Sequence, residues 1–262
     1  MLIRSWNLFH GNSVPPQRES FLDEMLRLAG ADDPDILCLQ ELPSWTLGRF
    51  TAGDLAARPR IGPVPIPAEL GRRLTQLNHG MLRSAFAGQG NAIHVSPRLR
   101  VLAHELLTLN PRRFRDAQAR ALALGPVGRL AWAKERRIVQ ALRVAEPGGR
   151  TFLVANTHGT SYPADERLAD AELLRAAWFA VSTASPEDVV VLAGDFNVRA
   201  ARSRTLRDLT GPEWRFSEPG PGIDHILVRG ATASPLRRWP DDQRRHGDRL
   251  LSDHAPVELD VA

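Results

Sequence analysis

The chain has 262 residues, 43% of them apolar, enough to bury a full core in one α/β or β-sandwich-type domain covering residues 1–262. No stretch reaches the roughly 20 apolar residues of a membrane helix, and the single cysteine, Cys38, rules out an intrachain disulfide. The net charge of +4 and pI near 10.3 admit a polyanionic partner, but 33 of the 34 basic residues are arginine, a bias that genome composition also produces, so charge alone assigns no ligand.

Leu2 to Asn7 reads as a strand, with no basic segment and apolar core of a signal peptide, so a cytoplasmic location is expected. Phe21, Leu22, Met25, Leu26 and Leu28 make a helical stripe within Arg18 to Ala29. Asp35 to Leu39 is a second buried strand, with Cys38 as a structural thiol and Gln40-Glu41 at its exit. Helices are predicted over Trp45 to Ala57 and Ala68 to Asn78, separated by a proline-rich loop from Arg58 to Pro67. Gly90 to Val95 and Leu99 to Leu109 read as paired strands, in which His94 and His104 are packed or edge residues rather than ligands. The arginine-rich stretch from Asn110 to Arg137 reads as a solvated loop, with a phosphate-steering patch as the functional alternative.

Arg137 to Val144 and Thr151 to Ala155 form a predicted hairpin that ends in Asn156-Thr157-His158. Ala164 to Ala184 follows as an amphipathic helix with Leu168, Ala171, Leu174 and Trp178 on its core stripe. Val189 to Ala193 is a buried strand that stops at Gly194-Asp195-Phe196-Asn197; if the chain stays extended, Asp195 and Asn197 share one face. A short helix over Arg202 to Leu209, a strand from Ile223 to Val228 carrying Asp224, a mixed-charge loop from Asp241 to Arg249, and Ser252-Asp253-His254 before a last strand complete the chain.

The strand-end groups are therefore Asn7, Glu41, Asn156, His158, Asp195, Asn197, Asp224, Asp253 and His254. There is no zinc spacing, no glycine-rich loop followed by lysine, and no nucleophile elbow. Hard oxygen donors with two histidines suit Mg²⁺ and metal-assisted hydrolysis of a phosphate ester.

Six blocks carry a family resemblance: Ser5-Trp6-Asn7, Leu39-Gln40-Glu41, Asn156-Thr157-His158, Gly194 to Asn197, Ile223-Asp224-His225 and Ser252-Asp253-His254. In this order they resemble the endonuclease/exonuclease/phosphatase superfamily, a Mg²⁺-dependent group that includes deoxyribonuclease I, deadenylases, neutral sphingomyelinases and inositol polyphosphate phosphatases. The resemblance implies a four-layer α/β/β/α sandwich, with two mixed, mainly antiparallel sheets face to face and helices outside. It implies Glu41 as the principal Mg²⁺ ligand, Mn²⁺ being a substitute, with Asn7 and Asp253 near the metal. Asp195 and Asn197 would position or activate the attacking water. His254, oriented by Asp224, would stabilise phosphoryl oxygens or exchange a proton. His158 and Asn156 would serve substrate binding, His158 by contact with phosphate and Asn156 by support of its strand end.

Pro221-Gly222-Ile223-Asp224-His225 lacks the arginine that inositol phosphatases place after the aspartate, and Asn156-Thr157-His158 lacks the tyrosine typical of apurinic endonucleases. The expected activity is a Mg²⁺-dependent phosphodiesterase of nuclease type acting on DNA or RNA, without an obligate protein partner. A phosphomonoesterase or phospholipid-headgroup hydrolase is the alternative, and a non-catalytic phosphate-binding module the remaining one.

Overall fold

Two sheets carry the architecture of the computed structural model, which describes residues 1–50, 53–57, 69–70, 73, 88–134 and 136–262. The first orders its strands β11 (Arg237–Arg238), β14 (Val257–Asp260), β1 (Leu2–Asn7), β3 (Ile36–Pro43), β5 (Gln89–Val95) and β4 (Leu55–Ala57). The second runs β10 (Asp224–Arg229), β9 (Val189–Asp195), β8 (Thr151–His158), β7 (Ile138–Ala145) and β6 (Arg100–Thr108). β1 is parallel to β3 and β8 to β9, and the other pairs are antiparallel. A small third sheet joins β12 (Arg245–His246), β13 (Arg249–Leu251) and β2 (Ser13–Val14).

Strand side chains alternate, so each strand gives one face to the space between the sheets. Ile3, Ile36 and Cys38 of the first sheet meet Val154, Val191, Ala193 and Ile226 of the second there, all fully buried. Each large aliphatic side chain withdrawn from water contributes roughly 1.5–3 kcal/mol. Outside the second sheet lies helix α4 (Arg167–Thr183), which packs Ala169, Leu173, Ala176 and Ala180 on Leu153, Val190 and Leu192. Outside the first lies α1 (Leu22–Ala29), with Leu22, Met25 and Ala29 on Trp6, Leu37 and Leu39. Helix, sheet, sheet and helix make the four-layer sandwich that the resemblance implied.

Several local expectations are corrected. β5 and β6 are not partners: β5 pairs with β3 and β4, whereas Ser96 to Leu99 carries the chain to the other sheet, where β6 pairs with β7. The difference in burial explains it, because β5 is almost wholly enclosed and β6 is an exposed edge. The stretch from Asn110 to Arg137 is not a loop but two helices, α2 (Arg112–Ala121) and α3 (Pro126–Lys134). Arginine, alanine and glutamine are good helix formers, and Phe114, Ala119 and Trp132 give the pair a small core against Leu168. The stripe on α4 is misplaced by the sequence reading, since Trp178 is 58% exposed and leans edge-on against Trp214 while small alanines face the sheet. Trp45 to Ala57 is no helix either: it begins as a 3-10 turn, Ser44–Arg49, and ends in β4. The loop from Arg58 to Pro67 lies outside the described residues, and of the helix from Ala68 to Asn78 only 69, 70 and 73 are described, as helical. Asp241 to Arg249 has a buried anchor after all, Arg244, which donates to the carbonyls of Leu251, Ser252 and His254. His94 has an acidic partner, Asp54, at 2.7 Å. Among the described residues no helix is long and apolar enough to cross a membrane.

Candidate active site

The space between the sheets changes character toward one end. There the inward positions, aliphatic elsewhere, become Ser5, Gln40, Gln140 and Asn156, all buried, the exits of β1, β3 and β8 meeting the start of the antiparallel β7. Asn156 donates to the carbonyls of Leu39 and Ala92, each at 3.0 Å, and accepts from Gln40 Nε2 at 2.8 Å. It thus ties the two sheets together, and its side chain is spent inside the protein rather than offered to a ligand.

One inward step beyond this layer come Asn7 on β1, His158 on β8, Asp195 on β9 and Asp224 on β10. Glu41 has the wrong parity for this face, being next to the inward Gln40. A bulge corrects it: Leu39 pairs with Ala92 and Leu42 with Gly90, leaving Gln40 and Glu41 opposite Asn91, with Glu41 at φ 53°. Asn197 joins by similar means. It sits at φ 53°, so it reaches Asp195 by a left-handed residue and not by extension, while Phe196 turns into the core against α4. Gly194 is obligatory here, because at φ 136° a Cβ would lie 1.9 Å from the carbonyl oxygen of Thr157.

Asp195 is the most engaged group. Its Oδ2 accepts from Asn7 Nδ2 at 3.0 Å and Asn197 Nδ2 at 3.1 Å, and its Oδ1 from the main-chain N–H of Asn197 at 3.0 Å. His158 Nε2 and His254 Nε2 stand 3.5 and 3.8 Å from Oδ2, at the edge of hydrogen-bond reach. Burial, offset in part by the His254 charge and reinforced by Asp224 and Glu41, pushes Asp195 up to about 7. His254 Nδ1 lies 2.9 Å from Asp224 Oδ2. Burial alone would lower His254, but the charges of Asp195, Asp224 and Asp253 raise it to about 10, so an imidazolium persists through neutral pH.

Across the cluster Glu41 faces His10 Nε2 at 3.0 Å and His158 Nε2 at 3.6 Å. Burial opposes its charge, yet His10, His158 and His254 outweigh that and hold its carboxyl well below the usual carboxylate range. His158 behaves in the opposite way to His254: burial, then the Arg137 charge, depress it strongly, so it is neutral. Arg137 Nη1 lies 3.0 Å from His158 Nδ1. The same Nη1 is 3.5 Å from His158 Nε2, so the guanidinium lies over the ring rather than on the Nδ1 lone pair, while Nε2 faces the two carboxylates.

The structure therefore brings Asn7, Glu41, His158, Asp195, Asn197, Asp224 and His254 together, places Asp253 half-exposed at the rim, and turns Asn156 away. Two residues of the site escape the sequence reading, His10 and Arg137. His10 follows β1 in a left-handed conformation no pattern announces; Arg137 meets His158 only through the pairing of β7 with β8. For a divalent cation there is one close cluster and a further set of oxygen donors. Asp195, Asp224 and His254 each bring one ligand atom within 4.8 Å of the others, with His254 Nδ1 already engaged by Asp224. Glu41, Asn7 Oδ1 and Asp253 offer hard oxygens, and burial together with the charges of Glu41 and Asp224 pushes Asp253 up, a crowding of carboxylates that a cation relieves. The residues present fit a divalent metal.

The profile described as the Endonuclease/Exonuclease/phosphatase family matches residues 5–254, from the strand of Asn7 to His254 itself. The chain belongs to this family. Members of the Endonuclease/Exonuclease/phosphatase family hydrolyse phosphate esters, generally with a divalent metal, and the chain is a phosphoric ester hydrolase. Among solved structures, the human Nocturnin catalytic domain with bound sulfate is 18% identical, with a TM-score of 0.61 over 100% of this chain and 93% of that one. TDP2 of D. rerio complexed with single-strand DNA product is 14% identical, TM-score 0.59, covering 99% and 97%. The mannosyl-6-phosphatase of Bacteroides thetaiotaomicron VPI-5482 is 14% identical, TM-score 0.60, covering 100% and 99%. At these identities the likeness is one of fold. No curated protein matches the chain in sequence.

Proposed function

We propose that this family member is a Mg²⁺-dependent phosphodiesterase of nuclease type. The observation that carries the reading is Asp195, fixed by two asparagines and facing two histidines of opposite protonation state across gaps of 3.5 and 3.8 Å. Glu41, Asn7 and Asp253 would hold Mg²⁺, with Mn²⁺ as substitute. When bound, the metal neutralises charge on the phosphate and acidifies coordinated water.

The chain's own groups do the rest. Asp195, raised toward neutrality by burial and oriented by Asn7 and Asn197, positions the attacking water and takes its proton as oxygen bonds to phosphorus. His254, held by Asp224, places a positive charge at the phosphoryl oxygens and carries the proton that can be released to the departing oxygen. His158, kept neutral by burial and by the Arg137 charge over its ring, turns Nε2 toward the phosphate and contributes a hydrogen bond rather than a positive charge. A pure binding module needs no such division of acid, base and donor.

The mannosyl-6-phosphatase of the same fold keeps monoester hydrolysis as the second reading. Paired chromogenic phosphate diester and monoester substrates decide, assayed with Mg²⁺ and with EDTA. Diester turnover that EDTA abolishes is the expected result; monoester turnover alone would replace the first reading by the second, and turnover undiminished by EDTA would remove the metal from both.

A further inference from the structure

The arginines between β6 and β7 are largely unused by the strand-end cluster, and at one point they converge. The main-chain oxygen of Asn110 accepts from two guanidiniums, Arg115 Nη1 at 3.0 Å and Arg136 Nη1 at 2.9 Å. The side-chain oxygen of Asn110 holds the main-chain N–H of Arg137 at 2.9 Å, and the Arg137 guanidinium reaches His158. Two partly buried cations thus gather on one neutral carbonyl, one residue from the arginine that touches the reactive histidine. Among the described residues neither Arg115 nor Arg136 is in an ion pair.

Satisfying one carbonyl takes one donor, and a neutral one suffices. Bringing two like charges to it costs electrostatic energy, and Arg115 registers this: burial first, then the Arg136 charge, lower its pKa. The carbonyl occupies one of five donors on each fork, and the free donors have the spacing that phosphate oxygens take. Arg112, Arg113 and Arg120 of α2 are exposed, Arg112 lying 3.7 Å from Asp116, and the first turn of α2 has no acidic residue.

We propose that Arg115 and Arg136 form an accessory anion site that takes a second phosphate of the substrate, beside the ester being cleaved. The inference rests on the phosphate-ester reading of the strand-end cluster and narrows it to substrates that carry two phosphates. A polynucleotide strand and a small bisphosphorylated molecule present the same chemistry.

The test is binding, measured by calorimetry at low salt in Asp195→Asn so that ligands stay intact. Adenosine 3′,5′-bisphosphate is compared with adenosine 5′-monophosphate, and a single-stranded oligothymidylate is titrated across salt. A charge-assisted contact is worth roughly 1.5–3 kcal/mol, or about 10-fold or more in affinity. The bisphosphate is expected to bind about 10-fold tighter, an advantage lost in Arg115→Gln/Arg136→Gln, which removes both charges. Arg115→Gln alone serves if the pair unfolds, and the comparison of the two nucleotides needs neither. A log–log salt slope for the oligothymidylate reduced by about 0.7 in the arginine variant would identify a strand as the source; an effect confined to the bisphosphate would identify a small molecule. Equal affinity for both nucleotides with an unchanged slope would overturn the proposal, as would a preference that survives both substitutions. If no ester is cleaved by the wild-type chain while the preference stands, the catalytic reading falls and the anion site remains.

Discussion

Arg137→Met removes a guanidinium that lies over His158, and its consequence can be worked from the distances. Arg137 Nη1 is 3.0 Å from His158 Nδ1 and 3.5 Å from Nε2, and its charge, after burial, holds the imidazole neutral although Nε2 is 3.5 Å from Asp195 Oδ2 and 3.6 Å from Glu41 Oε1. Without it the two carboxylates draw a second proton onto the ring, and the imidazolium pairs with them instead of contacting phosphate. A hydrogen bond to or from a charged group is worth roughly 1.5–3 kcal/mol, which expressed in the transition state is about 10- to 100-fold in kcat. The assays are turnover at fixed pH, thermal denaturation to establish that the variant is folded, and nitrogen NMR of the imidazoles to read protonation. Turnover within about threefold of wild type, with His158 still neutral, would refute the reasoning.

Asn156→Ala leaves the carbonyls of Leu39 and Ala92 without their donor, so denaturant unfolding should show a loss of roughly 2–4 kcal/mol, while KM stays near wild type; a raised KM at unchanged stability would return Asn156 to substrate binding. Gly194→Ala puts a Cβ against the Thr157 carbonyl at a left-handed φ, and a loss above roughly 3 kcal/mol is expected. A melting temperature unchanged within experimental error would contradict that geometry. Far from the site, Asp188 resists the upward pull of burial because Arg143, Thr151 and the Ser185 N–H hold its pKa below the ordinary value. Its contribution is present above the unfolded pKa of about 3.9 and is lost as pH falls through the lower folded value. Asp188→Asn should therefore cost roughly 2 kcal/mol at pH 7 and flatten the decline of stability on acidification; parallel pH–stability curves would count against it.

The strand-end chemistry was legible because it follows a period of two. Ile3, Ser5 and Asn7, or Val191, Ala193 and Asp195, share a face by counting alone, and the count places the carboxylates where apolar residues give out. The order of layers followed from the resemblance those blocks carry. What counting could not deliver are departures from the period: the bulge that swings Glu41 to the side of Gln40, and the left-handed Asn197 and His10. Arg137 required the register of β7 on β8, a long-range fact. Asn156 is grouped with the substrate-binding residues as the support of its strand end; its depth, one layer below the reactive groups, is not a property of sequence. The helices α2 and α3 were hidden by charge, since their apolar contacts are few and spread over Phe114, Ala119 and Trp132, whose partner Leu168 belongs to α4.

The central claim is that the cluster around Asp195 cleaves phosphate esters. It is tested most directly by the turnover of folded Asp195→Asn on a chromogenic phosphodiester with Mg²⁺. The substitution keeps the shape of the side chain and, through its carbonyl, the bonds from Asn7 and Asn197 Nδ2, at the loss of the bond from the Asn197 N–H, while removing the charge that takes the proton. The account predicts a fall of about a thousandfold or more with little change in melting temperature. Turnover close to wild type would contradict it.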